Sequence, residues 1–167
     1  MKVRLDYVTN SSSSSFIIAC KSEKEMVKTI NEELVLYSDE VKNTIIEDAI
    51  NGQRDVSEYI KDAADDYAYS RLTFTYEFGI CGRKGSWVDK WREKHPDADW
   101  FAYEDDAEYK ALYKKYYDEK FNEISDKLKG NDFVSIVEYE DHTNIGSLLE
   151  HEIMPDLSIT KEIISYH

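Results

Sequence analysis

The sequence has few residues of the kinds that break or cross-link a chain. Its 167 residues include two prolines, six glycines and two cysteines. Cys20 and Cys81 form neither a C-x-x-C pair nor a disulfide framework, which excludes a disulfide-stabilised scaffold and indicates a reducing compartment. A chain of this length is the size of one domain, and we find no linker in it. The sequence therefore predicts a single domain spanning residues 1–167.

Long apolar stretches are also missing. No run of about 18 apolar residues exists, so the sequence predicts no membrane-spanning helix and no membrane partner. The N-terminal residues MKVRLDYV alternate in character, whereas a signal peptide has a continuous apolar stretch. We therefore expect a cytoplasmic protein.

Basic residues are scarce relative to acidic ones. Lysine and arginine total 21 against 35 aspartate and glutamate residues, a formal net charge of −14. Such a charge disfavours direct binding to a nucleic-acid backbone, which attracts basic surfaces. It leaves open a DNA-mimic inhibitor, whose carboxylates would stand in for phosphates. The 22 aromatic residues (13 Tyr, 6 Phe and 3 Trp) exclude a disordered chain and indicate a folded core.

Alternation of apolar and polar residues predicts strands at both ends of the chain and in its middle. The predicted strands are Lys2–Val8, Phe16–Ala19, Leu72–Ile80, Phe133–Tyr139 and Ile159–Tyr166. Leu72–Ile80 has the most regular alternation and is predicted to lie inside the sheet. Ser11, Ser12, Ser13, Ser14 and Ser15 separate the first two strands, a gap too short for a flexible tether, so part of this serine run is predicted to extend the second strand.

Helices are predicted from caps and apolar stripes. Ser22 with Glu25 forms a capping box, Ser38 and Ser86 are candidate N-caps, and Asp55 precedes a third apolar stripe. The longest stripe runs from about residue 105 to 129 and ends before Gly130, a typical C-terminal cap. The segregated order of elements predicts an α+β domain. Its mostly antiparallel sheet would be built from both chain ends and a central strand, with helices on one face.

A glycine-rich turn with local positive charge is one candidate site. Arg83, Lys84, Gly85 and Ser86 follow a predicted strand and open a predicted helix, an arrangement in which free backbone N–H groups can bind an anion or contact a partner. The P-loop pattern is absent, because Lys84 precedes Gly85. The alternative is an ordinary turn leading into a solvated helix.

Histidines near the C-terminus are a second candidate site. His142, His151, Glu152 and His167 combine imidazole and carboxylate, the ligands preferred by zinc, iron or manganese. No H-E-x-x-H spacing is present, so a divalent metal site would require the fold to bring distant residues together. The alternative is that these are surface or capping residues.

No nucleophilic motif is present, and the sequence predicts neither catalytic residues nor an organic cofactor. There is no G-x-S-x-G elbow, and both cysteines are typical of small buried or turn residues. Five tyrosines cluster in and before the longest predicted helix: Tyr103, Tyr109, Tyr113, Tyr116 and Tyr117. They are predicted to pack in and around the core, with a tyrosine-rich contact surface as the alternative.

Two segments resemble a known group of proteins. DYVTNSSSSSFII at residues 6–18 resembles the opening of uncharacterised small bacterial proteins with an N-terminal VTNSSSSSF motif, and GSLLEHEIMPDLSITKEIISYH at residues 146–167 is similar to the end of some of them. The resemblance covers 35 residues (13 plus 22) and implies no catalytic residue, cofactor or partner. It implies that both chain ends belong to one unit, and that the serine run is a modification or recognition element. A polar turn leading into a strand is the alternative.

The sequence thus favours an acidic bacterial protein that acts without catalysis, as a protein-interaction or regulatory module with a protein partner. Two alternatives stay open: a small, hydrolase-like metal-dependent enzyme using the C-terminal His and Glu residues, and the DNA-mimic inhibitor.

Overall fold

The computed structural model describes residues 13–77, 80–82, 84–140 and 143–166 and has an α+β fold, as predicted. The strands are β1 (Ser13–Cys20), β2 (Thr75–Glu77), β3 (Ile80–Gly82), β4 (Phe133–Glu140) and β5 (Thr160–Tyr166). The α-helices are α1 (Glu23–Glu33), α2 (Asp39–Asn51), α3 (Ser57–Thr73), α4 (Trp87–Lys94), α5 (Ala107–Leu128) and α6 (Asn144–Leu148). A 3₁₀ turn spans Ala102–Asp105, and a π-helical turn spans Leu149–Ile153.

The chain divides into two compact units. The first comprises Met1–Val56 and Lys127–His167, and the second comprises Ser57–Asp126. The prediction of one domain, 1–167, did not distinguish them. The predicted strand Lys2–Val8, together with Ser11 and Ser12, lies outside the described residues.

The first unit contains a three-stranded antiparallel sheet in the order β4-β1-β5. Phe16 on the middle strand is opposite Val137 on β4 and Ile163 on β5. Strands from both chain ends therefore pair, as the sequence predicted. The serine run extends β1, also as predicted, because Ser13, Ser14 and Ser15 continue both ladders.

Helices α1 and α2 pack on one face of this sheet. Their predicted apolar stripes supply Met26, Ile30, Val41, Ile45 and Ala49 to a core shared with alternate residues of β1 and β4. The predicted caps begin both helices: the Glu25 N–H donates to Ser22 Oγ at 3.2 Å, and the Val41 N–H donates to Ser38 Oγ at 3.4 Å.

The outer edge of β4 is covered by the segment that follows α2. The Ile136 N–H donates to the Gly52 carbonyl at 3.1 Å, and Gln53 forms an isolated bridge with Ser135. Glycine is required at position 52, because a Cβ there would lie 2.0 Å from the Ile136 carbonyl oxygen. This contact holds the end of α2 against the sheet.

The second unit corrects the prediction of a strand over Leu72–Ile80. Leu72 and Thr73 end α3, whereas Thr75–Glu77 form β2, which pairs with β3 in a two-stranded hairpin among the described residues. Leu72 also continues the buried helical stripe of Ile60, Ala64 and Ala68 at four-residue spacing. The helical and alternating patterns compete for the same residues, and the helix forms because its stripe is the longer one.

No helix in the described ranges is both long and apolar enough to cross a bilayer.

Candidate functional site

Helix α4 of the second unit begins with a complete cap. The Asp89 N–H donates to Ser86 Oγ at 3.0 Å, and the Gly85 N–H donates to Asp89 Oδ2 at 2.7 Å. Gly85 has a positive φ of 81°, which glycine adopts without the strain caused by a side chain. The cap fixes the direction in which α4 projects Arg92.

The same cap uses the groups proposed from sequence for an anion or partner contact. The Gly85 amide and the Ser86 hydroxyl are both engaged by Asp89, and the Lys84 carbonyl accepts a hydrogen bond from Thr75 Oγ1 at 2.8 Å. Arg83 lies outside the described residues. In this conformation the Gly85 amide therefore does not point at an external anion.

Arg92, one turn before Pro96, holds the loop that follows α4. Its Nη2 donates to the Trp100 carbonyl at 2.9 Å, and its guanidinium carbon lies 3.7 Å from the centroid of the Trp100 ring. The Tyr103 ring centroid is 5.3 Å from the same carbon. Arg92 thus fixes both the backbone and the ring of Trp100.

Trp100 and Phe101 are nevertheless exposed. Their relative exposures are 60% and 62%, although aromatic rings of this size are usually buried to a much greater extent. We call these two residues with Arg92 and Tyr69 the Trp100 surface. Tyr69 lies at its edge and is 38% exposed.

A cavity of about 230 Å³ lies within the Trp100 surface. Besides the four residues of that surface, the lining consists of Thr73, Ser86, Val88, Asp89 and Tyr103. The Arg92 Nε is buried, and among the described residues it has no hydrogen-bond partner. A buried donor left without an acceptor costs about 1–3 kcal/mol, so an oxygen atom placed in the cavity would gain from accepting its hydrogen bond.

An aromatic core supports the Trp100 surface. Tyr103 and Tyr109 are buried with Leu72 and Val88, and the Tyr103 and Tyr109 rings meet edge to face at 5.1 Å. Burial, with a smaller contribution from Tyr103, raises the pKa of Tyr109 to about 12, so its hydroxyl stays neutral at physiological pH. The prediction that the tyrosine cluster packs in and around the core is confirmed for these residues, although Tyr103 belongs to the 3₁₀ turn before α5.

Trp91 joins α4 to the start of α5. Its Nε1 donates to Asp106 Oδ2 at 2.9 Å, and Asp106 Oδ1 accepts from the Glu108 N–H at 2.8 Å. The Trp91 hydrogen bond, followed by the Glu108 amide, lowers the pKa of the Asp106 carboxyl. The loop carrying Trp100 is therefore fastened at both ends, by Arg92 and by Trp91.

Acidic residues surround the Trp100 surface in the sequence. From His95 to Glu108 there is no lysine or arginine, and there are six carboxylates: Asp97, Asp99, Glu104, Asp105, Asp106 and Glu108. An apolar surface within a negatively charged loop favours ligands that are apolar and basic.

The four residues proposed as metal ligands are not shown to converge. His142 and His167 lie outside the described residues. His151 and Glu152 are exposed on neighbouring positions of the π-helical turn, and no group of three His, Cys, Asp or Glu residues within the described ranges is arranged to hold a metal ion. The metal hypothesis stays a prediction.

The serine run contacts this same π-helical turn. Ser14 Oγ donates to Glu150 Oε1 at 2.7 Å in the interior of the first unit. The other oxygen, Glu150 Oε2, is buried without a hydrogen-bond partner among the described residues, and His151 Nε2 lies 3.8 Å from it. Isolated π-helical turns often occur at functional sites, and Glu150 lies within this one.

Cys20 is buried, as predicted. Its thiol donates to the Ser22 carbonyl at 3.2 Å, and burial raises the pKa of the thiol. A raised pKa disfavours the reactive thiolate.

Comparison with protein-family models, with curated proteins and with solved structures finds no match to this chain. The sequence patterns missed the Trp100 surface because the residues that follow Pro96 have neither helical nor strand periodicity. The available signal was a pair of adjacent large aromatic residues, Trp100 and Phe101, within an acidic loop.

Proposed function

We propose that this protein is a binding module that captures a basic segment of a partner protein on the Trp100 surface. The partner segment inserts an apolar side chain into the cavity beside Trp100 and Phe101. Its lysine or arginine residues face the surrounding carboxylates.

The observation that carries the proposal is the rigid presentation of the exposed Trp100 ring beside a second exposed ring, Phe101. A tryptophan left in solvent is normally mobile, whereas Trp100 is fixed by the Arg92 hydrogen bond and by stacking at 3.7 Å. Fixing a contact residue before binding reduces the entropy lost on association. Tryptophan, tyrosine and arginine are also the residues most enriched among those that dominate binding energy at protein interfaces.

The chemistry of the cavity supports a peptide rather than a free cation. The Arg92 guanidinium already occupies one face of Trp100 and would repel a second cation placed there. The unpartnered Arg92 Nε can donate to a backbone carbonyl oxygen of a bound peptide. The exposed carboxylates of the loop, Asp97, Asp99 and Glu104, disfavour a carboxylate ligand and favour basic residues on either side of the anchor.

Synthetic peptides test the proposal. A peptide of alternating lysine and leucine is titrated into the full chain by calorimetry, beside a lysine–serine peptide that lacks the anchor and a glutamate–leucine peptide that lacks the charge. We expect the lysine–leucine peptide to bind most tightly. Trp100→Ala should lower the affinity for this peptide by more than about tenfold, because truncating a central aromatic contact typically costs about 2 kcal/mol or more.

Two variants sharpen the test. Leu36→Ala removes a side chain that is 94% exposed in the first unit and should leave the affinity unchanged. Arg92→Gln makes the surface more negative, which by charge alone would strengthen binding of a basic peptide. We expect it to weaken binding, because Trp100 loses its support. Equal affinities of the wild type and Trp100→Ala, or equal binding of all three peptides, would contradict the proposal.

A further inference from the structure

A groove of about 520 Å³ lies in the first unit, between α2, the outer edge of β4 and the start of α6. This volume is within the range of about 300–1,000 Å³ typical of small-molecule sites. Thr44, Asp48 and Asn51 line it from successive turns of α2. The groove is separate from the Trp100 surface, and inferences from it do not depend on the proposed function.

Two glycines allow the segments that form the walls of this groove to approach β4 closely. A Cβ at Gly52 would lie 2.0 Å from the Ile136 carbonyl oxygen, and a Cβ at Gly146 would lie 2.1 Å from the Glu140 carbonyl oxygen. Both positions bring a neighbouring segment against β4 more closely than any side chain allows. The walls of the groove are therefore set by backbone contacts.

Tyr139, a lining residue of the groove, carries an unused polar group. Tyr139 is 6% exposed, and its hydroxyl has no hydrogen-bond partner among the described residues. The Asp48 carboxylate lies close enough to the hydroxyl to affect its ionisation. Burial, followed by the charge of Asp48, raises the pKa of Tyr139, so the phenol keeps its proton. Its oxygen can accept a hydrogen bond from a ligand while its proton points toward Asp48.

The charge of the groove determines whether a cationic or an anionic ligand is favoured. Three carboxylates (Asp48, Glu138 and Glu140) and one guanidinium (Arg54) line it, which gives one minus three, a formal charge of −2. Arg54 Nη2 pairs with Glu138 Oε1 at 3.0 Å, so these two charges offset each other. An anion is disfavoured, and the oxygens of Asp48 and Tyr139 are both acceptors suited to a donor that carries positive charge.

Apolar side chains complete the groove. Ile145, at the rim, is 38% exposed, and Leu149 and Val137 are buried in its walls. A bare ammonium ion would leave these side chains without a contact, whereas the methylenes of an alkyl chain would cover them.

We propose that this groove is a binding site for an alkylammonium group, held by hydrogen bonds to Asp48 and Tyr139 with its alkyl chain against Ile145. A free amine and the side chain of a lysine residue share this chemistry.

Amine titrations followed by NMR of the full chain test the site. The probe is n-butylammonium, with butyrate as the anion of matching size and methylammonium as the cation without the alkyl chain. We expect saturable shifts for Thr44, Asn51 and Gly146 with butylammonium, weaker binding of methylammonium, and none of butyrate. Adding Nα-acetyl-lysine methylamide and spermidine in separate arms identifies the source, because the tighter ligand shows whether a lysine side chain or a free polyamine fits better.

Three variants make the result decisive. Asp48→Asn should weaken butylammonium binding at least tenfold, because it removes the charge while retaining the shape. Glu47→Gln removes a charge from the adjacent, exposed position of α2 and should change nothing. Tyr139→Phe should weaken binding severalfold without lowering the urea midpoint of unfolding, since deleting a buried hydroxyl that lacks a partner is nearly neutral for stability.

Equal butylammonium affinity in the wild type and Asp48→Asn, or equal binding of butyrate and butylammonium, would overturn the site. Trp100→Ala should leave amine binding unchanged, and Asp48→Asn should leave the effect of Trp100→Ala on peptide binding unchanged. Failure of one proposal is therefore distinguishable from failure of the other.

Discussion

A buried hydrogen bond connects the serine run to the last helical turns of the chain. Ser14 Oγ donates to one carboxylate oxygen of Glu150, and the second oxygen has no hydrogen-bond partner among the described residues. A buried carboxylate has lost its contacts with water and relies on hydrogen bonds from the protein. Removing one of those donors leaves the desolvation cost uncompensated. The contact between Ser14 and Glu150 is thus expected to matter more for stability than an ordinary serine hydrogen bond.

Ser14→Ala should lower the free energy of unfolding by about 2 kcal/mol, within the range of about 1.5–3 kcal/mol for hydrogen bonds to charged groups. Urea unfolding at pH 7 measures the change. The matched control is Ser158→Ala, since Ser158 Oγ donates to the Glu33 carboxylate at the surface, where water replaces the lost partner. Ser158→Ala should lower the free energy of unfolding by well under half as much. Equal decreases for the two variants would show that burial does not strengthen the Ser14–Glu150 hydrogen bond.

The start of α5 is stabilised by one carboxylate. Asp106 accepts from the Glu108 N–H, the Tyr109 N–H and the Trp91 indole, so it serves as both the cap of α5 and the link to α4. These hydrogen bonds lower the pKa of Asp106 below the value of about 3.9 expected in the unfolded chain. A group with a lowered folded pKa stabilises the fold above its unfolded pKa, and this contribution is lost as the pH falls through the folded pKa.

Asp106→Asn should therefore destabilise the protein by a constant amount at neutral pH, and the difference from the wild type should shrink below about pH 4. Urea midpoints measured from pH 7 down to pH 3 check the sign. Trp91→Phe removes the largest cause of the pKa shift and should weaken the acid dependence. A wild-type advantage that grows as the pH falls would show that the linkage has been assigned the wrong direction.

Elements defined by local chemistry were predictable from sequence, and those defined by distant contacts were not. Ser22, Ser38 and Ser86 were identified as caps because an N-cap acts within three residues of itself. The strand predicted over Leu72–Ile80 was correct for Thr75–Glu77, but it was started too early, because the helical stripe through Leu72 extends α3 to Thr73. The Trp100 surface was missed because the contact from Arg92 depends on the path of the loop after Pro96, which no periodic pattern encodes.

The candidate sites also differ in whether local residues or distant contacts form them. The cap at Gly85, Ser86 and Asp89 arises from neighbouring residues, so the sequence located the turn, but it did not show that the Gly85 amide is already hydrogen-bonded to Asp89. The groove beside Tyr139 combines α2 with β4, which are about 90 residues apart in the sequence. Only the fold brings Asp48 and Tyr139 together.

Net charge acts on the molecule as a whole. With 35 acidic and 21 basic residues, the folded chain holds its carboxylates closer together than the unfolded chain does, and their mutual repulsion opposes folding. Salt weakens this repulsion, since the screening length falls from about 30 Å at 0.01 M to about 8 Å at 0.15 M.

The urea midpoint should therefore rise as sodium chloride is raised across this range. Urea is the suitable denaturant because guanidinium chloride is itself a salt. Potassium chloride should give the same increase, since screening depends on ionic strength and not on the identity of the cation. A flat or falling midpoint would show that ion pairs at the surface outweigh the general repulsion.

The burial of Ser14 and Ser15 decides when an enzyme can act on them. Their exposures are 5% and 2%, they point to opposite faces of the sheet, and β1 is paired on both sides. A kinase needs an extended, accessible hydroxyl, and a phosphate on Ser14 would face the Glu150 carboxylate. Phosphorylation at either position would therefore have to occur before the chain folds, and the phosphate would prevent β1 from pairing in the sheet.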